Sequence, residues 1–598
     1  MIDNTEFHSM ELLTLFAVSL ATLVLVLIWF QKSGVRSTPG DKSKPEKRQP
    51  PGPWSLPIIG GIHHVMGGLG HRKMMELSHH HGPLMFLRLG EVPTLVVSSA
   101  EAAELVMKTH DLTFCSRPTT SITIDIVGSK GKGIGFAPYG DRWRQMKKIV
   151  VMELLSAAQV KRIESIRAEV AGRLLRSIAT AGARHEAGIV NVSNEVKALA
   201  PDLGAMAMFG GKCAMKSDFV RLYDEVSELV SGFFPVDLFP SSRLVRWLSI
   251  SERHLARGYG RIQSIIATII QSRKVAENNG ACSPDQEDLL SVMLRLQKEE
   301  SLTFPLTSEI IGAVMFDIFG GATTTIGSTH EWAMSELMKK PETMAKAQKE
   351  VREVLGGSRG VISSNTELAR LSYMRMVIKE VLRLHPPNPL LVPRESREDC
   401  EIMGYHVPKG TKVLVNAFAI SRDPMYWKTP EAFNPERFEN SNVDYKGTNF
   451  EFIPFGSGRR QCPAIMFGTS TLEIALANLL YHFDWVLPDG VSPELVDMSE
   501  QYGMGVNKKL DLHLRPIPYY VGDEEVEKIE QYMEFMTWPR QRNRTTHAEA
   551  GQRLPVEENW PTPLHLAASP LVEEGGPASR RLIEVPMMVT FSGGHGAR

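Results

Sequence analysis

The chain predicts a mainly α-helical fold with small β-sheets, preceded by one N-terminal transmembrane helix. Three features lead there: apolar residues recur at helical spacing beyond about residue 140, β-prone runs are few and scattered, and one long uncharged apolar run stands near the start. With 598 residues, 43% of them hydrophobic, the chain can bury a sizeable core. Its formal net charge of −1 offers no basic field for nucleic acid and no acidic excess. Its five cysteines, Cys115, Cys213, Cys282, Cys400 and Cys462, are widely spaced and odd in number, which suits a reducing compartment rather than a disulfide scaffold.

Leu12 to Phe30 reads LLTLFAVSLATLVLVLIWF, about 19 uncharged residues, enough for a helix to cross a hydrocarbon core. Lys32, Arg36, Lys42, Lys44, Lys47 and Arg48 follow it, Asp3, Glu6 and Glu11 precede it, and no small-residue cleavage site intervenes. That order predicts a retained anchor within residues 1–31, spanning at 12–30, with everything beyond on the cytosolic side. Residues 32–57 are charged and then rich in proline, which predicts a stiff extended linker. The main body is expected over 58–518. It begins with a hairpin over 84–98, split by Gly90 and Glu91, and a short helix. Helices are predicted near 141–153, 158–180, 217–231, 252–276, 285–298, 307–338, 341–354, 366–385 and 463–482, with strands at Lys412–Val415 and Leu510–Leu514. From 519 to 598, Pro, Gly, Glu and Arg mix without periodicity, the composition of a disordered low-complexity tail.

The most informative stretch starts at Phe455 and reads FGSGRRQCPAIMFG. Gly456 and Gly458 let the loop lie against a flat group where side chains would block it. Arg460 supplies a fixed positive charge for a carboxylate. Pro463 suits the first turn of a helix, and an apolar helix continues through Leu472, Ala475, Leu476, Leu479 and Leu480. Cys462 is thereby placed at a helix N-terminus, where free amides and the dipole favour a thiolate. Zinc is disfavoured, because no second Cys or His stands at ligand spacing.

Phe455, Gly458, Arg460 and Cys462 match F-x-x-G-x-R-x-C, the haem-binding signature of the cytochromes P-450, and the chain resembles a microsomal plant member of the clan devoted to specialised metabolism. The resemblance covers roughly residues 45 to 518. It implies a cytochrome P-450 fold as the haem-thiolate catalytic domain over 58–518. The cofactor implied is haem b (iron protoporphyrin IX), with Cys462 as the iron's axial ligand and Phe455 and Arg460 beside the haem. A thiolate ligand directs electron density to iron and favours O–O cleavage. The family usually has Gly two places after the cysteine; Ala464 stands here and should alter packing beneath the haem without removing the ligand.

Two further motifs occur in the family's order. Glu380 and Arg383 lie three apart on a predicted helix, and PERF, Pro435 to Phe438, follows. The resemblance implies a buried triad of Glu380, Arg383 and Arg437 that locks the haem-holding region, so removing one member should strand a charge and cost haem incorporation. It also implies haem propionate contacts at Trp143 and Lys147, in the places of W-x-x-x-R, and at Arg394 in LVPRES. Lys147 keeps the charge of the usual arginine but loses its bidentate fork.

The predicted helix 307–338 would extend roughly 48 Å at about 1.5 Å per residue. In its middle lies GGATTT, Gly320 to Thr325, poor helix-interior residues whose hydroxyls compete for carbonyls, so local distortion and a groove are expected. The family's [AG]-G-x-[DE]-T maps onto Gly320, Gly321, Thr323 and Thr324. Thr324 then becomes the catalytic threonine, able to hold a water for proton delivery, and Thr323 stands where an acid is usual.

By the same resemblance the substrate faces Thr119–Gly135, Phe233–Pro240 (FFPVDLFP), Ala313–Gly321, Asn388–Val392 and Gly503–Val506. These are mostly apolar or small, which implies a lipophilic small molecule, and FFPVDLFP is also a candidate to dip into the lipid bilayer. The implied reaction inserts one atom of O2 into a terpenoid, or else a phenolic or indole-derived compound, with the other atom leaving as water. No G-x-G-x-x-G dinucleotide fold appears, so electrons are expected from outside the chain, and the resemblance implies NADPH through a flavoprotein reductase at the endoplasmic reticulum membrane as their source. Two other readings stay open. One is a haem-thiolate isomerase or dehydratase of hydroperoxides, for which the missing acid leaves room. The other is a non-catalytic haem-binding protein, against which Cys462, Arg460 and Thr324 count.

Overall fold

The structure, a computed structural model, describes residues 48–519 apart from 185–186, 211–212, 214, 231–233, 279–287, 300–301, 357–359 and 504, together with Ser19 and Thr22. Apart from Ser19 and Thr22, the expected transmembrane span lies outside the described residues, as do the tail beyond Tyr519 and all of the second of the chain's two units, Asn543–Arg598.

Helices dominate the described residues. In chain order the main ones are α1 (Gly70–His81), α2 (Asp141–Ile149), α3 (Glu164–Arg184), α4 (Val192–Phe209), α5 (Lys216–Val230) and α6 (Ile250–Asn278). They continue with α7 (Leu289–Glu299), α8 (Ser308–Lys339), α9 (Pro341–Val354), α10 (Ser372–Leu384) and α11 (Ile465–His482). The hairpin forms as β1 (Leu84–Leu89) and β2 (Val92–Val97), turning on Gly90 at φ 64°. With β3 (Arg394–Glu395) and β4 (Lys412–Val415) it makes a sheet of order β1-β2-β4-β3, in which β2 and β4 run parallel. A second sheet joins Val190–Asn191, His513–Pro518 and Phe483–Val486, so the strand predicted at Leu510 starts three residues later.

The sequence does not predict α4, because Pro201 within it removes a donor and argues against a helix interior. Val196, Leu199, Leu203, Met206 and Phe209 are nevertheless buried on it, and α4 packs along α8. Five such side chains, at roughly 1.5–3 kcal/mol each, exceed a proline penalty of about 3 kcal/mol.

α8 is started by Thr307, whose hydroxyl accepts the Ile310 N–H. It is long and apolar enough to cross a membrane, but 72% of its most apolar window is buried inside the protein, so it serves as the central core helix. The distortion expected at Gly320–Thr325 is not seen, because the helix continues through it. Thr323 and Thr325 direct their hydroxyls to the Gly320 and Gly321 carbonyls without interrupting the ladder.

Residues on either side of the expected body are held to it. The Arg48 carbonyl accepts His406 N–H at 2.7 Å and the Pro51 carbonyl accepts Phe86 N–H at 2.8 Å, so the end of the expected linker is docked on the sheets. Tyr519 donates its N–H to His482 O at 2.8 Å and lies 3.6 Å beneath the Arg352 guanidinium.

Candidate active site

A cavity of about 270 Å³ lies where α2, α8 and α10 meet the loop before α11, and Cys462 lines it. Gly456 and Gly458 take φ of 67° and 69°, and a Cβ on Gly458 would sit 2.2 Å from the Met107 carbonyl, so that turn needs glycine. The Cys462 N–H donates to Phe455 O at 3.0 Å, which folds the loop back and brings both residues to the cavity.

The helix starts at Ile465 rather than at Pro463, and the Cys462 Sγ accepts the Ala464 N–H at 3.4 Å. Burial pushes the thiol up, and neither that N–H nor the Lys147 charge overcomes it. The helix start alone therefore does not produce the thiolate that the sequence suggested; a metal cation on the sulfur would.

Cations gather on one side of the cavity. Arg460 donates to Cys115 O and Ala137 O at 2.6 Å each and to Ile134 O at 3.3 Å, with its guanidinium 4.1 Å from the Trp143 ring centre. Trp143 Nε1 donates to Ile134 O at 2.9 Å, and Lys147 Nζ donates to Gln461 O at 3.0 Å and to Arg459 O. Arg394 reaches Ser457 O at 2.8 Å and Asp111 at 3.3 Å. Arg117, which no sequence motif marks, is buried beside them and donates to Gly135, Val392 and Pro393 carbonyls.

Burial lowers all four basic groups, Lys147 to about 8 and Arg460 to about 9. Arg460's charge adds to the lowering of Arg117 and Lys147. Asp111 is the carboxylate that pairs with Arg394, and it is shared with Arg459. So much buried positive charge with so little compensation is costly unless an anion joins it. A flat group carrying two carboxylates, with a metal over the sulfur, fits these residues.

Glu380 and Arg383 on α10 meet in a two-pronged pair at 2.8 and 2.9 Å, and Arg437 Nε reaches the same carboxylate at 2.9 Å. Arg383 also donates to Ser421 O and Pro430 O, so the three side chains fasten α10 to the segment that leads to the cysteine loop. Leu382 of α10 lines the cavity.

From α8 the cavity receives Asp317, Ile318, Gly321, Ala322 and Thr325. Thr324 is not among its lining residues; its methyl group faces Gly505, where an added Cβ would touch it at 3.7 Å. The hydroxyl offered to the cavity belongs to Thr325 and donates to Gly321 O at 2.7 Å. Residues four apart share a helix face, so a one-residue shift turns Thr324 away. Neither register supplies an acid within Gly320–Thr325; the carboxylate on this wall is Asp317, one turn earlier.

Three expected substrate stretches contribute to the lining: Ile134 and Gly135, then Asp317, Ile318 and Gly321, then Asn388, Leu391 and Val392. The described residues of the other two do not. Phe234 and Val236 of FFPVDLFP are buried in the fold, away from both cavity and surface, and the apolar side chains left exposed nearby are Leu244, Trp247, Leu248 and Ile250. Val506 is held at its carbonyl by Ser328 Oγ at 2.7 Å.

A family model described as Cytochrome P450 matches residues 50–514. Desmethyl-deoxy-podophyllotoxin synthase of Sinopodophyllum hexandrum is 45% identical over 85% of this chain and 97% of its own length. Ent-isokaurene C2/C3-hydroxylase of Oryza sativa subsp. japonica is 44% identical over 80% and 94%. A solved zebra fish cytochrome P450 with progesterone shares the fold at a TM-score of 0.63, with 23% identity over 75% of this chain and 99% of that one.

Proposed function

This chain belongs to the cytochrome P450 family and is a monooxygenase, and on that premise we propose that it oxidises a lipophilic plant terpenoid with electrons from NADPH, passed on by a flavoprotein reductase. The observation that carries the proposal is a cysteine sulfur on an apolar cavity flanked by under-compensated buried cations. Cys462 would ligate haem iron, Trp143, Lys147, Arg394, Arg460 and Arg117 would hold the propionates, and the bound haem would supply dioxygen activation.

The chain's own residues do the rest. Gly321, where an added Cβ would meet nothing within 4 Å, leaves room beside the helix for a small reactant. Thr325 places a hydroxyl that can hold one water and pass its proton into the cavity. Ile134, Phe136, Ile318 and Leu391 exclude bulk water and select by shape, with few polar anchors. That apolar wall and the relative named for ent-isokaurene support a terpenoid. The similarly close relative named for a podophyllotoxin keeps phenolic compounds next in line. The uncharged run at 12–30 and the basic residues behind it support a single-pass anchor in the endoplasmic reticulum membrane with the body cytosolic.

The lack of an acid in Gly320–Thr325 favours one second reading, rearrangement of a hydroperoxide without reductase. Co-expression with a reductase tests both. We expect a reduced carbon monoxide band near about 450 nm, absent in Cys462→Ala, and terpene products only with NADPH and O2. A folded protein whose band stays near about 420 nm overturns the proposal, and turnover of hydroperoxides without NADPH selects the second reading.

A further inference from the structure

Asp317 lies inside the fold with part of its surface open to the cavity, and no motif accounts for it. Its Oδ2 accepts two backbone N–H groups, Ile134 at 2.7 Å and Gly135 at 3.0 Å. The loop is shaped to receive it: a Cβ on Gly133 would stand 2.1 Å from that oxygen. From the other side the same loop is held by its carbonyls, Ile134 by Trp143 and Arg460, Gly135 by Arg117 and Ala137 by Arg460. The strap Gly131–Ala137 is thus stretched between one carboxylate on α8 and the cations of the cofactor edge, and its middle is cavity wall.

We propose that Asp317 is a positioning residue that holds this strap against α8 and so sets how readily small molecules enter the cavity, and that protonating it releases the wall. The proposal rests on the haem-thiolate reading above. Bonds to an ionised acceptor are about twice as strong as neutral ones, so a protonated Asp317 holds the two amides more weakly. The side chain is poised for that change, since burial pushes it up to about 6 against the pull of the two amides and of Arg117. The other ionisable groups around it are tyrosines and cations. Tyr223 and Tyr259 are raised by burial, Lys132 on the strap is engaged by Glu309, and Arg142 is engaged by the Gly131 carbonyl.

The test is carbon monoxide rebinding after flash photolysis of the full-length reduced protein between pH 5 and 8, a ligand that does not itself titrate. The band near about 450 nm is monitored throughout. Rebinding should quicken several-fold as pH falls through about 6 in the wild type. In Asp317→Asn it should be fast and independent of pH. Gly133→Ala, which pushes a methyl into the carboxylate's place, should also be fast, and it stands in should Asp317→Asn fail to fold. Rates that are flat with pH and equal in all three proteins, each with an intact band, overturn the proposal. A wild type without that band overturns the haem-thiolate reading instead.

Discussion

Thr324 and Thr325 are chemically identical neighbours, and only helix phase separates them. Thr325 lies four residues from Gly321 on the cavity face and Thr324 faces Gly505, so their alanine variants should differ. Thr325→Ala is expected to lower product formed per NADPH consumed by about tenfold or more, with peroxide making up the difference, while Thr324→Ala stays within about twofold. Parallel assays of NADPH, peroxide and product check this, and equal effects would refute the assignment. Residues whose chemistry needs a fixed local spacing were legible in the sequence. Cys462 and Arg460 stand two apart in a glycine turn, and Glu380 and Arg383 share a helix face. The threonine that faces the cavity was legible only to within one position, because three in a row hide the register. Arg117 fell outside every predicted stretch, and Asp317 was caught only as one of the residues of Ala313–Gly321, because their partners stand 275 and 183 residues away and leave no local pattern.

At the scale of elements, α8 carries two adjacent glycines with different duties. A Cβ on Gly320 would fall 2.6 Å from the Tyr223 hydroxyl on α5, whereas one on Gly321 would meet nothing within 4 Å. Gly320→Ala should therefore destabilise the fold by about 1–3 kcal/mol despite alanine's better helix propensity, and Tyr223→Phe in the same chain should recover much of that loss. Gly321→Ala should leave thermal unfolding nearly unchanged and weaken binding of bulky substrates instead. Melting curves of the three variants decide the matter, and a Gly320→Ala protein as stable as its parent would show that the two helices are not in tight contact. The same helices show what a sequence conveys about elements. α8, α9 and α11 come from clean apolar periodicity, and their predicted ends lie within about two residues of those seen. α4 escaped because Pro201 is a strong local signal against a helix, while the burial that overrides it depends on α8, more than a hundred residues downstream.

For the whole molecule, the buried titratable groups predict how stability responds to acid. Burial holds His330 and His482 neutral by lowering each to about 4. Between their ordinary value of about 6.5 and about 4 the unfolded chain binds protons that the folded one refuses, so their contribution is complete above about 6.5 and is lost as pH falls, roughly a few kcal/mol for each. Asp317 works in the opposite sense. Raised to about 6, it takes up its proton in the fold before the unfolded chain does, which adds stability as pH falls from about 6 towards 4. Two histidines outweigh one aspartate, so the melting temperature should drop on acidification over that interval. His330→Asn, which keeps a polar group near the Ile326 carbonyl but cannot become charged, should make the fall shallower. Asp317→Asn removes the compensating group and should make it steeper. Thermal unfolding of the two variants at several pH values separates these opposite changes, and parallel curves would show that neither side chain titrates differently in the fold.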